Sequence, residues 1–242
     1  MRKYHQGNLM TKNYKKIFTV GCSFSDRTWV TKSYGDYLAE ELDREYIHNA
    51  AGCGSNNRMW RTATNAIMNN ELTSDDLLIV QYTEITRSEI WTALEQDGLA
   101  NRIENERVAP TGKVVVRDKC RHDGDIIRFK PGCSEWQPCR HEMQFTQKFE
   151  EYHLSPDFCT EQALFNNYNF QNMLHVQKIP TIFLQALSYG HELFNKNYFN
   201  FPEFRYSAQT LIDHNHALSK DDDFHINDAG HKWIATELAR QI

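Results

Sequence analysis

Two short stretches of this chain carry residue types able to do covalent chemistry. Near the start, Gly21-Cys22-Ser23-Phe24-Ser25 follows an apolar run; near the end stands Asp222-Asp223-Phe224-His225-Ile226-Asn227-Asp228-Ala229-Gly230-His231. A serine hydroxyl is a poor nucleophile at neutral pH. It needs an imidazole base beside it and a carboxylate that orients the imidazole. Ser23, His225 and Asp222, with Asp223 as the alternative carboxylate, are parts of that kind, so the question passes to the elements that must bring opposite ends of the chain together.

Lys16 to Val20 is short, apolar and β-prone, and Gly21 follows at once, which predicts a buried strand turning sharply into a loop that carries Ser23. Ser33 to Leu42 has Tyr34, Tyr37, Leu38 and Leu42 at helical spacing. Tyr46-Ile47-His48 reads as a second short strand, Gly52-Cys53-Gly54 as a turn, and Asn56 to Met68 as a helix. Leu77 to Tyr82 is the clearest buried strand. A helix over Leu164 to Val176, a strand over Thr181 to Leu184 and a last helix from Asp228 to Arg240 complete the alternation, the last with Asp228 as N-cap and Trp233, Ile234 and Leu238 on its buried side. Strands that are continuously apolar and alternate with helices predict a three-layer α/β/α sandwich around a parallel sheet. In such sheets functional groups gather at the carboxyl ends of the strands, which puts Ser23, Gly54 and Gln81-Tyr82-Thr83 on one rim, within reach of His225.

Residues 98–152 break the rhythm and read as an insertion in a single domain spanning 1–242. Val114-Val115-Val116 and Ile126-Ile127-Arg128-Phe129 suggest a β-hairpin turning through His122-Asp123-Gly124-Asp125. The insertion also holds Cys120, His122, Cys133, Cys139 and His141, thiols and imidazoles that could assemble a structural zinc site, although the spacing lacks the paired Cys-x-x-Cys of strong zinc patterns. Aromatic residues Phe194, Tyr198, Phe199, Phe201, Phe204 and Tyr206 would form a packed loop or line a carbohydrate-binding surface.

The motifs together resemble the SGNH (GDSL-like) hydrolase family, over nearly the whole chain apart from the insertion. The family's first block, Gly-Asp-Ser, stands here as Gly21-Cys22-Ser23; its last, Asp-x-x-His, as Asp222-Asp223-Phe224-His225. The resemblance implies the flavodoxin-like architecture of that family, with Ser23 as nucleophile, His225 as base and Asp222 as its orienter. It further implies an oxyanion hole built from the Ser23 N–H and the N–H of a second-block glycine, placed at Gly54 with Gly52 as the other register. The third block departs from the family: Gln81-Tyr82-Thr83-Glu84 replaces Gly-x-Asn-Asp, so the usual asparagine donor is missing and Thr83 or Asn57 is left to take its place. The run from Thr83 to Glu89 resembles a variant third block in which Arg87 supports the loop or binds an anionic substrate group. The implied activity is hydrolysis of small acyl esters, O-acetyl groups on carbohydrate among them. A catalytically weak binding module, viral or associated with glycan assembly, and an acyltransferase are the alternatives on the same scaffold. Cys22 is expected to be a buried thiol, and His231 a packed or capping residue rather than a second base.

The bulk composition excludes other classes. A net charge of -5 over 242 residues provides no electropositive footprint for nucleic acid. Residues 1–16 are basic and polar without the apolar core of a secretory signal, and no later run approaches a membrane span, which suggests a cytoplasmic or virion-associated protein with no membrane partner. The six cysteines read as thiols or metal ligands rather than a disulfide framework. The serine chemistry itself asks for no cofactor.

Overall fold

The computed structural model describes residues 13–27, 30–51, 54–83, 88–91, 106–108, 114–116, 121–123, 126–129, 156–185, 203–205, 225–240 and 242. Its main sheet has five parallel strands: β1 (Lys16–Gly21), β2 (Glu45–Ala50), β3 (Leu77–Tyr82), β9 (Thr181–Gln185) and β10 (Glu203–Arg205), in the order β10-β9-β3-β1-β2. The chain steps from β1 to β2 on one side and then to β3 on the other, so the strand order reverses between β1 and β3. A crevice opens at such a reversal, beyond the carboxyl ends of the two strands. The α/β sandwich expected from the alternation is the fold observed.

Strand composition follows position in the sheet. Every residue of β3 is buried, as a central strand covered on both faces requires, whereas β2 at the edge keeps five of its six residues at least partly exposed and tolerates Glu45, His48 and Asn49. Helix α1 (Tyr34–Leu42) and helix α4 (Asp228–Ala239) pack against each other, and α1 also covers β1 and β2; helix α2 (Asn56–Met68) packs on helix α3 (Pro156–Val176) and on β1 and β3. The core joins Ile17, Phe18 and Val20 of β1 with Leu77 to Val80 of β3, Ile182 to Leu184 of β9, and Leu38, Met59, Leu174, Ile234 and Leu238 from the helices. Burying each large aliphatic side chain there contributes about 1.5–3 kcal/mol.

Several boundaries differ from the sequence reading. Helix α3 begins at Pro156, eight residues before the predicted Leu164. A proline at the first helical position has its φ already set and lacks only an N–H that would be unpaired there anyway, so the polar first turns need no apolar face to start the helix. The N-cap of α4 is Asn227, whose side-chain Oδ1 accepts from the Gly230 N–H (2.9 Å), not Asp228. The Asp228 carboxylate instead accepts from the N–H groups of Thr31 (3.1 Å) and Lys32 (3.2 Å), tying the start of α4 to the loop before α1. Trp233 is only half-buried, and His231, Ala235 and Gly230 join Ile234 and Leu238 on the buried side.

The strands of the insertion also pair differently. Val114–Val116 (β6) pairs antiparallel with Glu106–Val108 (β5), not with Ile126–Phe129 (β8). Strand β8 pairs with Ser88–Trp91 (β4) and with Arg121–Asp123 (β7), so His122 and Asp123 belong to a strand rather than to the turn. Phe204, read from sequence as part of an aromatic loop, lies in β10; the other residues of that aromatic group are outside the described residues.

His231 is the buried histidine expected of the last helix. Its Nδ1 accepts from the Tyr34 N–H (3.0 Å), its ring stacks on Tyr34, and burial pushes its pKa down to about 3. The ring is therefore neutral in the folded protein, whereas the unfolded chain protonates it near the ordinary histidine pKa of about 6.5. The stability from a neutral His231 is fully present above that value and is lost as pH falls toward 3. We expect urea unfolding at a series of pH values between 6.5 and 4 to show His231 contributing up to about 1.4 kcal/mol per pH unit. The His231→Asn variant, whose Oδ1 can replace Nδ1 as acceptor, removes that share; parallel slopes for the two proteins would refute the assignment.

Candidate active site

Ser23 lies on the turn that leaves β1, closed by the Ser25 N–H donating to the Cys22 carbonyl (2.9 Å), and is itself half-buried. Its neighbours hold that turn down. Cys22 is fully buried, with its Sγ receiving a hydrogen bond from the Gln81 Nε2 (3.4 Å), which agrees with a packed thiol. Ser25 donates its hydroxyl to the Gln81 Oε1 and accepts from the Tyr34 hydroxyl (2.8 Å). One carboxamide at the end of β3 thus grips Cys22 and Ser25, one on either side of Ser23 in the turn.

His225, directly before α4, comes to the same turn. Its ring stacks on Phe24, the residue after Ser23, with centroids 5.1 Å apart and planes inclined by 21°. Asp222 and Asp223 lie outside the described residues, as do Gly52 and Arg87. The zinc candidates Cys120, Cys133, Cys139 and His141 do too, and of His122 only the backbone, in β7, is described. Among the described residues no group of three or more His, Cys, Asp or Glu side chains could hold a metal ion.

Gly54 packs against the turn that carries Ser23. A Cβ added there would fall 2.7 Å from the Gly21 carbonyl oxygen and 3.0 Å from that of Ala51, so glycine is what allows the two backbones to approach. The Gly54 N–H donates to the Ala51 carbonyl (2.9 Å), and the Ala51 N–H in turn to the Gly21 carbonyl (3.2 Å). The N–H expected as an oxyanion donor is thus bonded within a turn, and the missing side chain is what lets the two backbones meet.

Thr83 follows β3 directly. The register between β1 and β3 ends with Val20 opposite Val80, and because the strands are parallel the chains leaving them emerge on the same rim of the sheet. Thr83 is 3% exposed, and its Oγ1 is buried with no hydrogen-bond partner among the described residues. Asn57, the other candidate donor, is exposed on the first turn of α2. The residue that turns inward is Asn56: its Oδ1 accepts from the Thr83 N–H (2.9 Å) and its Nδ2 donates to the Thr83 carbonyl (3.2 Å). Sequence reading missed Asn56 by one position, because both asparagines fit the first turn of a helix and only the packing of α2 against β3 decides which faces the sheet.

A second polar group lies beside the turn, equally unannounced by the sequence. Asp26 Oδ1 is 3.6 Å from the Nε2 of His48 on β2, and His48 Nδ1 is 3.1 Å from the Tyr46 hydroxyl, which also bonds Thr19 (2.7 Å) and Ser33 (3.0 Å). Burial pushes the Tyr46 hydroxyl up to about 12, so it remains a neutral donor and acceptor.

No protein-family model matches the chain, and no curated protein matches its sequence. Solved structures do. The structure is similar to that of a protein assigned to the lipolytic G-D-S-L family from Desulfitobacterium hafniense DCB-2, with a TM-score of 0.52 and 8% identity over 94% of this chain and 99% of that one. The chain has the SGNH/GDSL-like hydrolase fold. It also aligns with an assigned acylhydrolase from Bacteroides fragilis NCTC 9343 (TM-score 0.48, 12% identity, 95% of this chain and 87% of that one). A third match is a catalytic mutant of Axe2, an acetylxylan esterase from Geobacillus stearothermophilus (TM-score 0.49, 9% identity, 96% of each chain). At such identities the likeness is one of fold.

The close backbone approach at Gly54 generates a prediction. The atoms that an added methyl would meet are main-chain oxygens, which cannot swing aside as a side chain can. Gly54→Ala is expected to lower stability by about 1–3 kcal/mol, measured by urea unfolding. A neutral substitution would mean that the turn and β1 do not sit against each other as described.

Proposed function

We propose that the protein is a serine esterase acting on small acyl esters, with O-acetyl groups on carbohydrate as the substrate class that the SGNH resemblance implies. The observation that carries this reading is the stacking of His225 on Phe24, which puts an imidazole from the end of the chain beside the residue that follows Ser23. In the proposed reaction Ser23 Oγ attacks the ester carbonyl while His225 takes its proton. The Ser23 N–H and the Thr83 hydroxyl donate to the oxyanion, and the alcohol leaves with the proton returned by His225. Water, deprotonated by His225, then attacks the acyl-serine and releases the carboxylic acid. Asp222 is the carboxylate proposed to hold the imidazole tautomer. An alcohol in place of water would make the same intermediate an acyl donor for transfer.

Thr83 has physical support as the donor replacing the family's asparagine. A buried hydroxyl without a partner costs about 1–3 kcal/mol, and such a cost is expected where a ligand atom supplies the missing acceptor. A second reading, a catalytically weak binding module, draws on the altered third block and on the engaged Gly54 N–H.

Hydrolysis of p-nitrophenyl acetate separates the two. The esterase reading expects Ser23→Ala and His225→Ala each to lower kcat by at least about 10³-fold, and Asp222→Asn to cost far more than Asp223→Asn. A wild type without turnover, or one matched by Ser23→Ala, favours the binding module. Thr83→Val supplies an independent check: loss of the hydroxyl is expected to reduce kcat by about 10²-fold while leaving thermal stability unchanged or raised, since no hydrogen bond within the protein is lost. A variant that is destabilised with normal kcat would remove Thr83 from the oxyanion hole.

A further inference from the structure

Asn56 occupies the first position of helix α2, yet its side chain does not serve that helix. The N-cap is Ser55, fully buried, whose Oγ accepts from the Arg58 N–H (3.1 Å). The Asn56 carboxamide instead spans to the chain leaving β3 and bonds both backbone groups of one residue, the N–H and the carbonyl of Thr83. That is the pattern a neighbouring strand would offer, supplied here by a single side chain just where β3 has run out of sheet partners. Both residues are almost wholly buried, Asn56 at 4% and Thr83 at 3% exposure.

A backbone held at both its donor and its acceptor leaves little rotation about its own Cα, so the direction of the Cα–Cβ bond is set as well. For most residues this would matter only to stability. At Thr83 the Cβ carries a hydroxyl whose oxygen is buried and has no hydrogen-bond partner among the described residues. An oxyanion donor must be aimed before the reaction begins, because reorganising it during the reaction cancels what it contributes.

We infer that Asn56 is a positioning residue for the oxyanion hole: its carboxamide locks the Thr83 backbone so that the Thr83 hydroxyl points at the developing oxyanion. The inference rests on the esterase reading and on Thr83 as donor. It gives the first turn of α2 a positioning role, distinct from the oxyanion-donor role in which Asn57 was a candidate. The lock also explains how a threonine, with a reach shorter than that of the asparagine it replaces, can be held in a fixed orientation.

A double-mutant cycle tests it, with kcat and KM for p-nitrophenyl acetate measured beside thermal unfolding. Asn56→Ala is expected to lower kcat by about 100-fold with KM little changed in the protein that keeps Thr83, the scale that a misplaced catalytic group costs. In the Thr83→Val background, where no hydroxyl remains to be aimed, the same substitution is expected to leave kcat within about two- to threefold of Thr83→Val alone. Loss of stability, by contrast, should be alike in both backgrounds. Asn56→Asp keeps an acceptor for the Thr83 N–H but sets an oxygen against the buried Thr83 carbonyl; it is expected to lower stability, with a fall in kcat that again disappears in the Thr83→Val background. Equal kcat losses in both backgrounds would overturn the positioning role and reduce Asn56 to a structural brace, with the esterase reading intact. A wild type showing no Ser23-dependent turnover would overturn the esterase reading, and this inference with it.

Discussion

The carboxamide of Gln81 is the interaction on which the rest of the site depends. Gln81 is wholly buried at the end of β3, and an amide in that position without partners would be strongly unfavourable. Its oxygen receives the Ser25 hydroxyl and its nitrogen reaches the Cys22 sulfur, so the chain leaving β1 can satisfy the amide only by folding back over β3. Ser23 stands between those two contacts. From Ser25 the connection passes to the Tyr34 hydroxyl, and the Tyr34 N–H then bonds Nδ1 of His231 on α4. A single run of buried polar contacts thus links the nucleophile turn, β3, the first helix and the last. Networks of this kind tolerate no half-measures, because each member lost leaves another buried group unsatisfied.

The other side of the turn is held by charge. Arg27 pairs with Asp36 on α1 and lies over the Tyr46 ring, 5.1 Å from its centroid. Burial alone would push the Asp36 carboxyl up, but hydrogen bonds from Arg27 and Ser33 outweigh it and hold the pKa below its usual value. Asp36 also accepts from the N–H and hydroxyl of Ser33 (2.8 Å each), so the same carboxylate closes the cap of α1 and anchors the chain four residues beyond Ser23. Gly35 leaves room for Tyr46, whose hydroxyl and ring edge a methyl there would overlap. The helix that covers β1 and β2 and the loop that carries Ser23 are consequently tied together.

Much of the fold was legible in the residues. Leu77 to Tyr82 could only be a central strand, since a run so uniformly apolar has to be covered on both faces; α2 begins at Asn56 and ends at Met68 as its periodicity predicts. The errors fell where local signals are weak or ambiguous. The first turns of α3 turn the small Cys159 and Ala163 inward, too weak an apolar signal to mark the helix start, and the three-residue strands between 106 and 123 offer several pairings that only tertiary contact can choose among. Strand β10 escaped for the same reason, being three residues long within an aromatic stretch.

For the site, the sequence by itself determined the chemical inventory: a serine after a buried strand, a histidine before the last helix, acidic residues near it, and a third block without its asparagine. Those are matters of residue type and local order, which a linear reading carries. Which groups meet was decided only by the tertiary structure. The Gly54 N–H is engaged by the Ala51 carbonyl, Asn56 rather than Asn57 turns to the sheet, and Gln81 grips the nucleophile turn. The physical reason is that a hydrogen bond depends on tenths of an ångström and on direction, and these are set jointly by helices and strands far apart in the chain. Residue types name the candidates, while the packing of α1, α2 and α4 against β1 and β3 decides which of them face one another.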